Sequence, residues 1–185
     1  MRKYDPRWLI VLLANLLLWW LAGLANNSLH RFSFLWWDYV SVHLYVGGLF
    51  VVYAALRLDR KHALIAVVLT GFMIDAVEPV PFGTSVLLLG LILATLLYGR
   101  QRFPREGSVF GIVVALFANL FLVIALSFLL VGANPRPAEA WLRIFVDLLA
   151  SQLVLVLITP WFLALQDRAM ELVQIHPETG RRVTL

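Results

Sequence analysis

Two carboxylates, Asp75 and Glu78, stand in the stretch GFMIDAVEPVPFGTSV (residues 71–86), which lies inside a long apolar run. Two acids held close together can share a proton and act as general acid and base, as they do in aspartic proteases. Neither acid, however, belongs to a Gly-x-Gly-Asp motif, and the chain has no His-Glu-x-x-His zinc motif and no phosphate-binding glycine-rich loop. We therefore expect no enzyme activity, no metal and no cofactor.

Four more polar residues interrupt apolar runs elsewhere in the chain: His43, Asn119, Arg143 and Asp147. Arg143, Asp147 and Ser151 follow one another at four-residue spacing, so in a helix their side chains form one polar stripe. The simplest interpretation of each residue alone is a local ion pair or an interhelical hydrogen bond. Taken together, they predict a set of buried polar groups that find partners inside the protein.

The composition determines which elements position these residues. The chain has 185 residues, of which 62% are hydrophobic and 14% charged, and its mean hydropathy is +0.86. Soluble domains are roughly 45 to 50% apolar, so the chain is predicted to be an integral membrane protein. The apolar residues come in blocks separated by charged islands, which indicates helices and not the alternating strands of a membrane barrel. The chain has no cysteine, which excludes disulfides and thiolate metal sites.

Six apolar segments approach the roughly 20 residues that cross a bilayer core of about 30 Å. They are residues 8–25, 39–56, 63–77, 84–98, 109–132 and 141–165. We predict an all-α bundle of six transmembrane helices in a single domain, residues 1–168, followed by a short cytoplasmic tail, residues 169–185.

Basic residues are distributed unequally between the two sides of this predicted bundle. Of the fifteen Lys and Arg residues, twelve fall at the N-terminus, in the second and fourth connections and in the tail, and three fall on the other side: Arg31, Arg136 and Arg143. Because cytoplasmic loops are enriched in Lys and Arg, both termini are predicted to be cytoplasmic. The same loops explain the isoelectric point near 9.9, so we expect the lipid bilayer and no nucleic acid as a partner.

The third and fourth segments form a hairpin that is too short to cross the bilayer twice. Only 38 residues separate Lys61 from Arg100, whereas two full spans require about 40 before any turn. The residues that break or bend the helices of the hairpin are Gly71, Pro79, Pro81 and Gly83. Asp75 follows Lys61 by about 14 residues and would lie roughly 21 Å into the core, where a carboxylate needs a partner.

We expect Arg143 to be the partner of Asp75, with His43 as the second choice. The alternative interpretation is that Asp75 only caps a helix or reaches the outer interface. His43, Asp75, Glu78, Arg143 and Asp147 are all assigned to the outer half of the bundle, whereas the inner half is nearly pure Leu, Val and Ile. This asymmetry predicts a polar cavity or a docking surface that opens outward.

The hairpin also resembles that of a known family. A basic turn and an apolar run lead to Gly71-Phe72-x-x-Asp75, and Pro81-Phe82-Gly83 then opens another apolar helix. This order is similar to that of MreD, the small multi-span subunit of the bacterial rod-shape complex, or elongasome.

The resemblance extends to the last apolar segment, where Gln152, Pro160 and Phe162 stand at the places at which the family has Asn or Gln, then Pro, then Phe. It covers residues 39–168 and implies a non-enzymatic membrane scaffold that acts in cell shape and peptidoglycan synthesis. The implied partners are a single-span protein of the MreC type, cell-wall synthases and, indirectly, the MreB filament. The implied location is the bacterial cytoplasmic (inner) membrane, as a multi-pass protein.

The architecture of that family is similar to that of the S components of energy-coupling-factor vitamin transporters. The alternative function is therefore a substrate-binding membrane subunit of a small-molecule transporter, with the outer polar cluster as its site. Such a subunit is expected to carry small residues on its first helix for an energising partner. The first segment has only Ala14, Ala22 and Gly23, which fits this alternative poorly.

Overall fold

The computed structural model describes residues 6–33, 42–78, 80–100, 108–131 and 137–173, and within these ranges the chain forms helices and no strand. The helices are α1 (Arg7–Ser33), α2 (Leu49–Arg57), α3 (Arg60–Asp75), α4 (Thr84–Gly99), α5 (Ser108–Val131) and α6 (Pro137–Leu172). The all-α prediction is confirmed for the described residues. Three helices contain stretches long and apolar enough to cross a membrane: Arg7–Leu29, Val109–Phe128 and Ala140–Leu172.

The second predicted span is not a continuous helix. The prediction placed a helix over residues 39–56, but residues 42–46 form neither helix nor strand, Gly47 and Gly48 form a turn, and α2 begins only at Leu49. Two adjacent glycines weaken a helix because glycine loses the most backbone freedom on folding. We refer to residues 42–48 as the unwound segment.

The short helix α2 lies at the centre of the bundle. Seven of its nine residues, Leu49–Ala55, are buried, and the helix contacts each of the other five. The last carbonyl groups of a helix have no hydrogen-bond partner within that helix. At the end of α2 the Arg100 side chain is a donor to such groups: its Nη1 donates to the carbonyl oxygens of Ala55 at 3.3 Å and Leu58 at 2.6 Å. α2 is therefore a largely buried element whose C-terminal end is held by Arg100, the residue that follows α4.

The hairpin of α3 and α4 is short, as predicted. Each helix has 16 residues, which corresponds to about 24 Å and is less than the bilayer core of about 30 Å. The two helices approach closely at Gly71, where a Cβ would lie 2.8 Å from the Cα of Val86. Gly83 precedes α4 with a φ of 96°, in the left-handed region that favours glycine.

Helix α6 is the longest element, with 36 residues and Pro160 inside it, and it packs along α5. Gln152 joins the two helices, because its Nε2 donates to the carbonyl oxygen of Leu116 at 3.1 Å. Phe162 is buried. α6 ends at Leu172, four residues beyond the domain boundary predicted at residue 168, and most of the predicted tail lies outside the described residues.

The bundle has two ends. We call the end that holds Asn26 and Glu78 the Glu78 end, and the opposite end, with Arg57 and Arg100, the Arg57 end. The Arg57 end is less apolar than predicted. The Tyr53 hydroxyl donates to Asp167 Oδ1 at 3.0 Å, and Arg57 Nη2 lies 3.7 Å from Asp167 Oδ2.

The close approach of α2 to α5 generates a first prediction. A Cβ at Gly48 would lie 2.5 Å from the backbone nitrogen of Asn119 and 2.7 Å from the carbonyl oxygen of Ala115. We expect Gly48→Ala to force the helices apart and to lower the free energy of unfolding by about 1–3 kcal/mol. The measurement is the midpoint of thermal unfolding in one detergent, followed by size-exclusion chromatography.

Gly90→Ala is the matched control for Gly48→Ala. Gly90 lies inside α4, and a Cβ there meets no heavy atom within 4 Å. The control should be neutral or stabilising by up to about 1 kcal/mol, because alanine is the better helix former. Equal unfolding midpoints for the two variants would contradict the described contact between α2 and α5.

Candidate functional site

A cavity of about 590 Å³ lies at the Glu78 end, between α1, the unwound segment, the α3–α4 hairpin and α5. This volume is in the range of about 300–1,000 Å³ that is typical of ligand sites. Most of its lining is apolar, including Trp19, Trp20, Phe50, Leu88, Leu89 and Leu122. The polar residues that line it are Asn26, His43, Tyr45, Glu78 and Ser85. We refer to it as the end cavity.

The unwound segment forms one wall of the end cavity, and side chains of α6 hold its backbone. The N–H of His43 donates to Asp147 Oδ1 at 2.9 Å, and the N–H of Tyr45 donates to Ser151 Oγ at 2.9 Å. Asp147 and Ser151 are both buried. Two of the three residues of the polar stripe predicted on the last helix, Asp147 and Ser151, therefore serve as acceptors for backbone that is not helical.

Two asparagines complete the attachment of the unwound segment. Asn26 on α1 bonds both backbone groups of Leu44: its Oδ1 accepts from the N–H at 2.8 Å, and its Nδ2 donates to the carbonyl oxygen at 3.2 Å. Asn119 on α5 accepts from the N–H of Gly48 at 3.2 Å. Because irregular backbone at membrane depth must be satisfied inside the protein, these amides replace the missing helical bonds.

Asp75 is buried, but its partners are not the ones predicted. Its carboxylate accepts three backbone N–H bonds, from Gly83 at 2.9 Å, Ser85 at 2.8 Å and Val86 at 3.4 Å. These groups belong to the turn and to the start of α4, where helical N–H groups have no partner in their own helix. The prediction of Arg143 as the partner is corrected: Asp75 caps α4, as the alternative interpretation held, from a buried position.

The prediction of burial is wrong for two residues, since Glu78 and Arg143 are both exposed. Glu78 lines the end cavity, at the end of the hairpin where the chain leaves α3. His43 also lines it, and its ring packs edge-on against Tyr45 with centroids 4.7 Å apart. The predicted hairpin residue Pro79 lies outside the described residues.

The predicted polar set is thus divided among three places. Asp75 is in the hairpin, Asp147 and Asn119 are behind the unwound segment, and His43 and Glu78 face the end cavity. In the part of the chain that the structure describes, no group of three or more His, Cys, Asp or Glu side chains is placed to hold a metal ion.

Two contributors were missed by the sequence predictions. Asn26 stands at the end of an apolar run, a position where a polar residue can be either exposed or hydrogen-bonded within the protein. Asn15 is a single amide within the first apolar run, and it is fully buried. Its Nδ2 donates to the carbonyl oxygen of Phe50 at 3.0 Å and to Thr70 Oγ1 at 3.2 Å, so it joins α1, α2 and α3.

A second concave surface of about 560 Å³ lies between α4 and α5 towards the Arg57 end, and we call it the lateral groove. The residues that line it include Leu56, Leu91, Tyr98, Val113, Phe117 and Phe121. The side chains of Leu91, Tyr98, Phe117 and Phe121 are exposed. The groove is thus an open apolar surface on the side of the bundle.

Comparison with known proteins finds no family model, no curated protein and no solved structure that matches the chain. The function is therefore argued from the residues and from the geometry of the end cavity, the hairpin and the lateral groove.

The hairpin generates the second prediction. We expect Asp75→Ala to lower the free energy of unfolding by about 3 kcal/mol or more, because hydrogen bonds to a charged group are worth about 1.5–3 kcal/mol and three half-buried backbone N–H groups lose their acceptor. Asp75→Asn should lose less, because one carbonyl oxygen remains. The measurement is thermal unfolding of the purified protein in detergent.

Glu78→Ala is the comparison for Asp75→Ala, because it removes the other acid of the hairpin at an exposed position. Its free energy of unfolding should remain within about 0.5 kcal/mol of wild type, as is usual for surface substitutions. If Asp75→Ala unfolded at the same temperature as Glu78→Ala, the capping role of Asp75 would be refuted.

Proposed function

We propose that the chain is a non-enzymatic membrane scaffold subunit of the MreD type, in a cell-shape and cell-wall elongation complex, and that it binds a single-span partner of the MreC type. The lateral groove carries this proposal. It presents exposed aromatic side chains between two helices, and Phe117 at its centre is 69% exposed. A transmembrane helix of a partner can pack there, because helix association in lipid depends on close van der Waals contact.

The hairpin supports the same function. It carries part of the resemblance to MreD, which covers residues 39–168, and its acid is used for architecture: the Asp75 carboxylate accepts three backbone N–H bonds. Three of the roughly four acceptor positions of this carboxylate are thus taken up by backbone donors. This architectural use of the acid supports a scaffold role.

The proposal includes six membrane passes with both termini in the cytoplasm of a bacterial inner membrane. Three helices are long enough to cross alone. The α3–α4 hairpin supplies two shorter passes, and the unwound segment together with α2 supplies the sixth. The twelve-to-three distribution of basic residues supports the orientation, with the Arg57 end inside.

The orientation gives a third prediction. The chain has no cysteine, so single cysteines can be introduced without background. Lys61→Cys should react with a membrane-impermeant maleimide only after the membrane is opened, whereas Asn27→Cys and Pro81→Cys should react in intact cells, since all three positions are exposed. Labelling of Lys61→Cys in intact cells would reverse the proposed orientation.

The lateral groove gives a fourth prediction. A photo-reactive benzoylphenylalanine in place of Phe117 should cross-link in native membranes to one single-span protein, identified by mass spectrometry. The matched control is the same residue at Leu153 on α6, because Leu153 is 71% exposed, as Phe117 is 69% exposed, but does not line the groove.

The control decides whether a cross-link is specific. If Phe117 and Leu153 gave the same set of products, the lateral groove would be ordinary lipid-facing surface. Failure to recover any single-span protein from the Phe117 position would remove the scaffold proposal.

A second candidate, the substrate-binding subunit of a small-molecule transporter, is favoured by the end cavity and by the unwound segment that forms its wall. Interrupted helices often contribute to substrate sites of transporters. This candidate requires an energising partner. Purification from native membranes without a bound cytoplasmic ATPase would exclude it.

A further inference from the structure

We propose that the end cavity binds an amphiphile that has one apolar chain and a cationic ammonium head, with the chain among the aromatic and aliphatic side chains and the head at Glu78. The proposal concerns the occupant of the cavity and rests on its lining alone. It applies to a scaffold as well as to a transport subunit.

The apolar part of the lining fits a hydrocarbon chain. Trp19, Phe50 and Leu89 lie on three different helices and line the same space of about 590 Å³. Burial of apolar surface contributes about 25 cal/mol per Å², so a chain placed there gains affinity along its whole length. A small polar solute would leave most of these apolar side chains without an apolar group to contact.

The charge of the lining selects the head group. Among the described residues that line the end cavity, Glu78 is the only carboxylate, and none is Lys or Arg. A phosphate or carboxylate head would therefore meet the like charge of Glu78. An ammonium head would meet the Glu78 carboxylate together with the rings of Trp20 and Tyr45, and aromatic rings attract cations.

His43 is held against α1 at the wall of the end cavity. The two bonds of Asn26 to Leu44 fix the orientation of the Asn26 amide, so its Nδ2 is the atom that faces His43 Nε2 at 3.4 Å. His43 therefore contributes a polar group that is already engaged with Asn26.

Access to the cavity follows from exposure at its rim. Trp20 and Leu24 on α1 are 56% and 45% exposed, and Val77 at the end of the hairpin is 65% exposed, although all three line the cavity. A chain can therefore enter from the side of the bundle past α1, while Glu78 remains at its mouth. This geometry matches an amphiphile that arrives from the bilayer.

The test uses fluorescence quenching by bromine, because Trp19 and Trp20, two of the seven tryptophans, line the cavity. The full chain in neutral detergent is titrated with 11-bromoundecylammonium and, separately, with 11-bromoundecanoate, which has a similar chain and the opposite charge. We expect saturable quenching by the ammonium compound and about fivefold weaker binding of the carboxylate, the ratio that corresponds to an exposed ion pair.

Two pairs of variants locate the site. Gly23→Phe places a large side chain in the cavity, and it causes no backbone clash because a Cβ at Gly23 meets no heavy atom within 4 Å. We expect this variant to lose saturable quenching. Gly90→Phe, at a position that does not line the cavity, should keep it. Glu78→Gln should remove the preference for the ammonium head. Glu171→Gln, an exposed acid that does not line the cavity, should keep that preference.

The source of the ammonium group is distinguished in nanodiscs. If a phosphatidylethanolamine with brominated chains quenches the fluorescence, and Gly23→Phe abolishes this quenching, the ligand is a membrane aminolipid. If only free 11-bromoundecylammonium quenches the fluorescence, the ligand is a free amphiphilic amine. Either result supports the proposal. Equal or tighter binding of the carboxylate compound, or quenching that is unaffected by Gly23→Phe, would overturn it.

Discussion

The fold depends on one requirement, which is that a backbone N–H or carbonyl group at membrane depth must find a partner inside the protein. Residues 42–48 fail to form a helix, and four side chains from three helices replace the missing bonds: Asn26, Asn119, Asp147 and Ser151. Each is buried or half-buried. These polar residues therefore have one common role, which is to supply hydrogen-bond partners to a non-helical segment inside an apolar bundle.

The same requirement explains why the two acids of the hairpin behave differently. The corner between α3 and α4 leaves N–H groups at the start of α4 without helical partners, and Asp75 accepts three such bonds from a position that is 5% exposed. Glu78 lies only three residues further, past the end of α3, and its side chain is exposed. Asp75 is therefore buried in the apolar run because backbone N–H groups bond to its carboxylate, whereas Glu78 lies at the surface.

The long apolar runs could be predicted from the sequence because hydrophobic length alone determines them, and α1, α5 and α6 all match predicted spans. The short hairpin could also be predicted, since it follows from counting residues between basic turns. The interruption before α2 could not. Gly47 and Gly48 are compatible with a membrane helix, and what favours the non-helical backbone is a set of acceptors from residues 18 to 106 positions away along the chain. For the same reason Asp75 could be predicted to be buried, but not its partner.

The position of α2 connects the two concave surfaces of the molecule. Phe50, near its start, lines the end cavity, and Leu56, near its end, lines the lateral groove. Nine helical residues measure about 13.5 Å, so this one element reaches from the first surface to the second. Seven of its nine residues are buried, which leaves little free space around it between the two surfaces. The proposed occupant of the end cavity and the proposed partner helix in the lateral groove would therefore both contact α2.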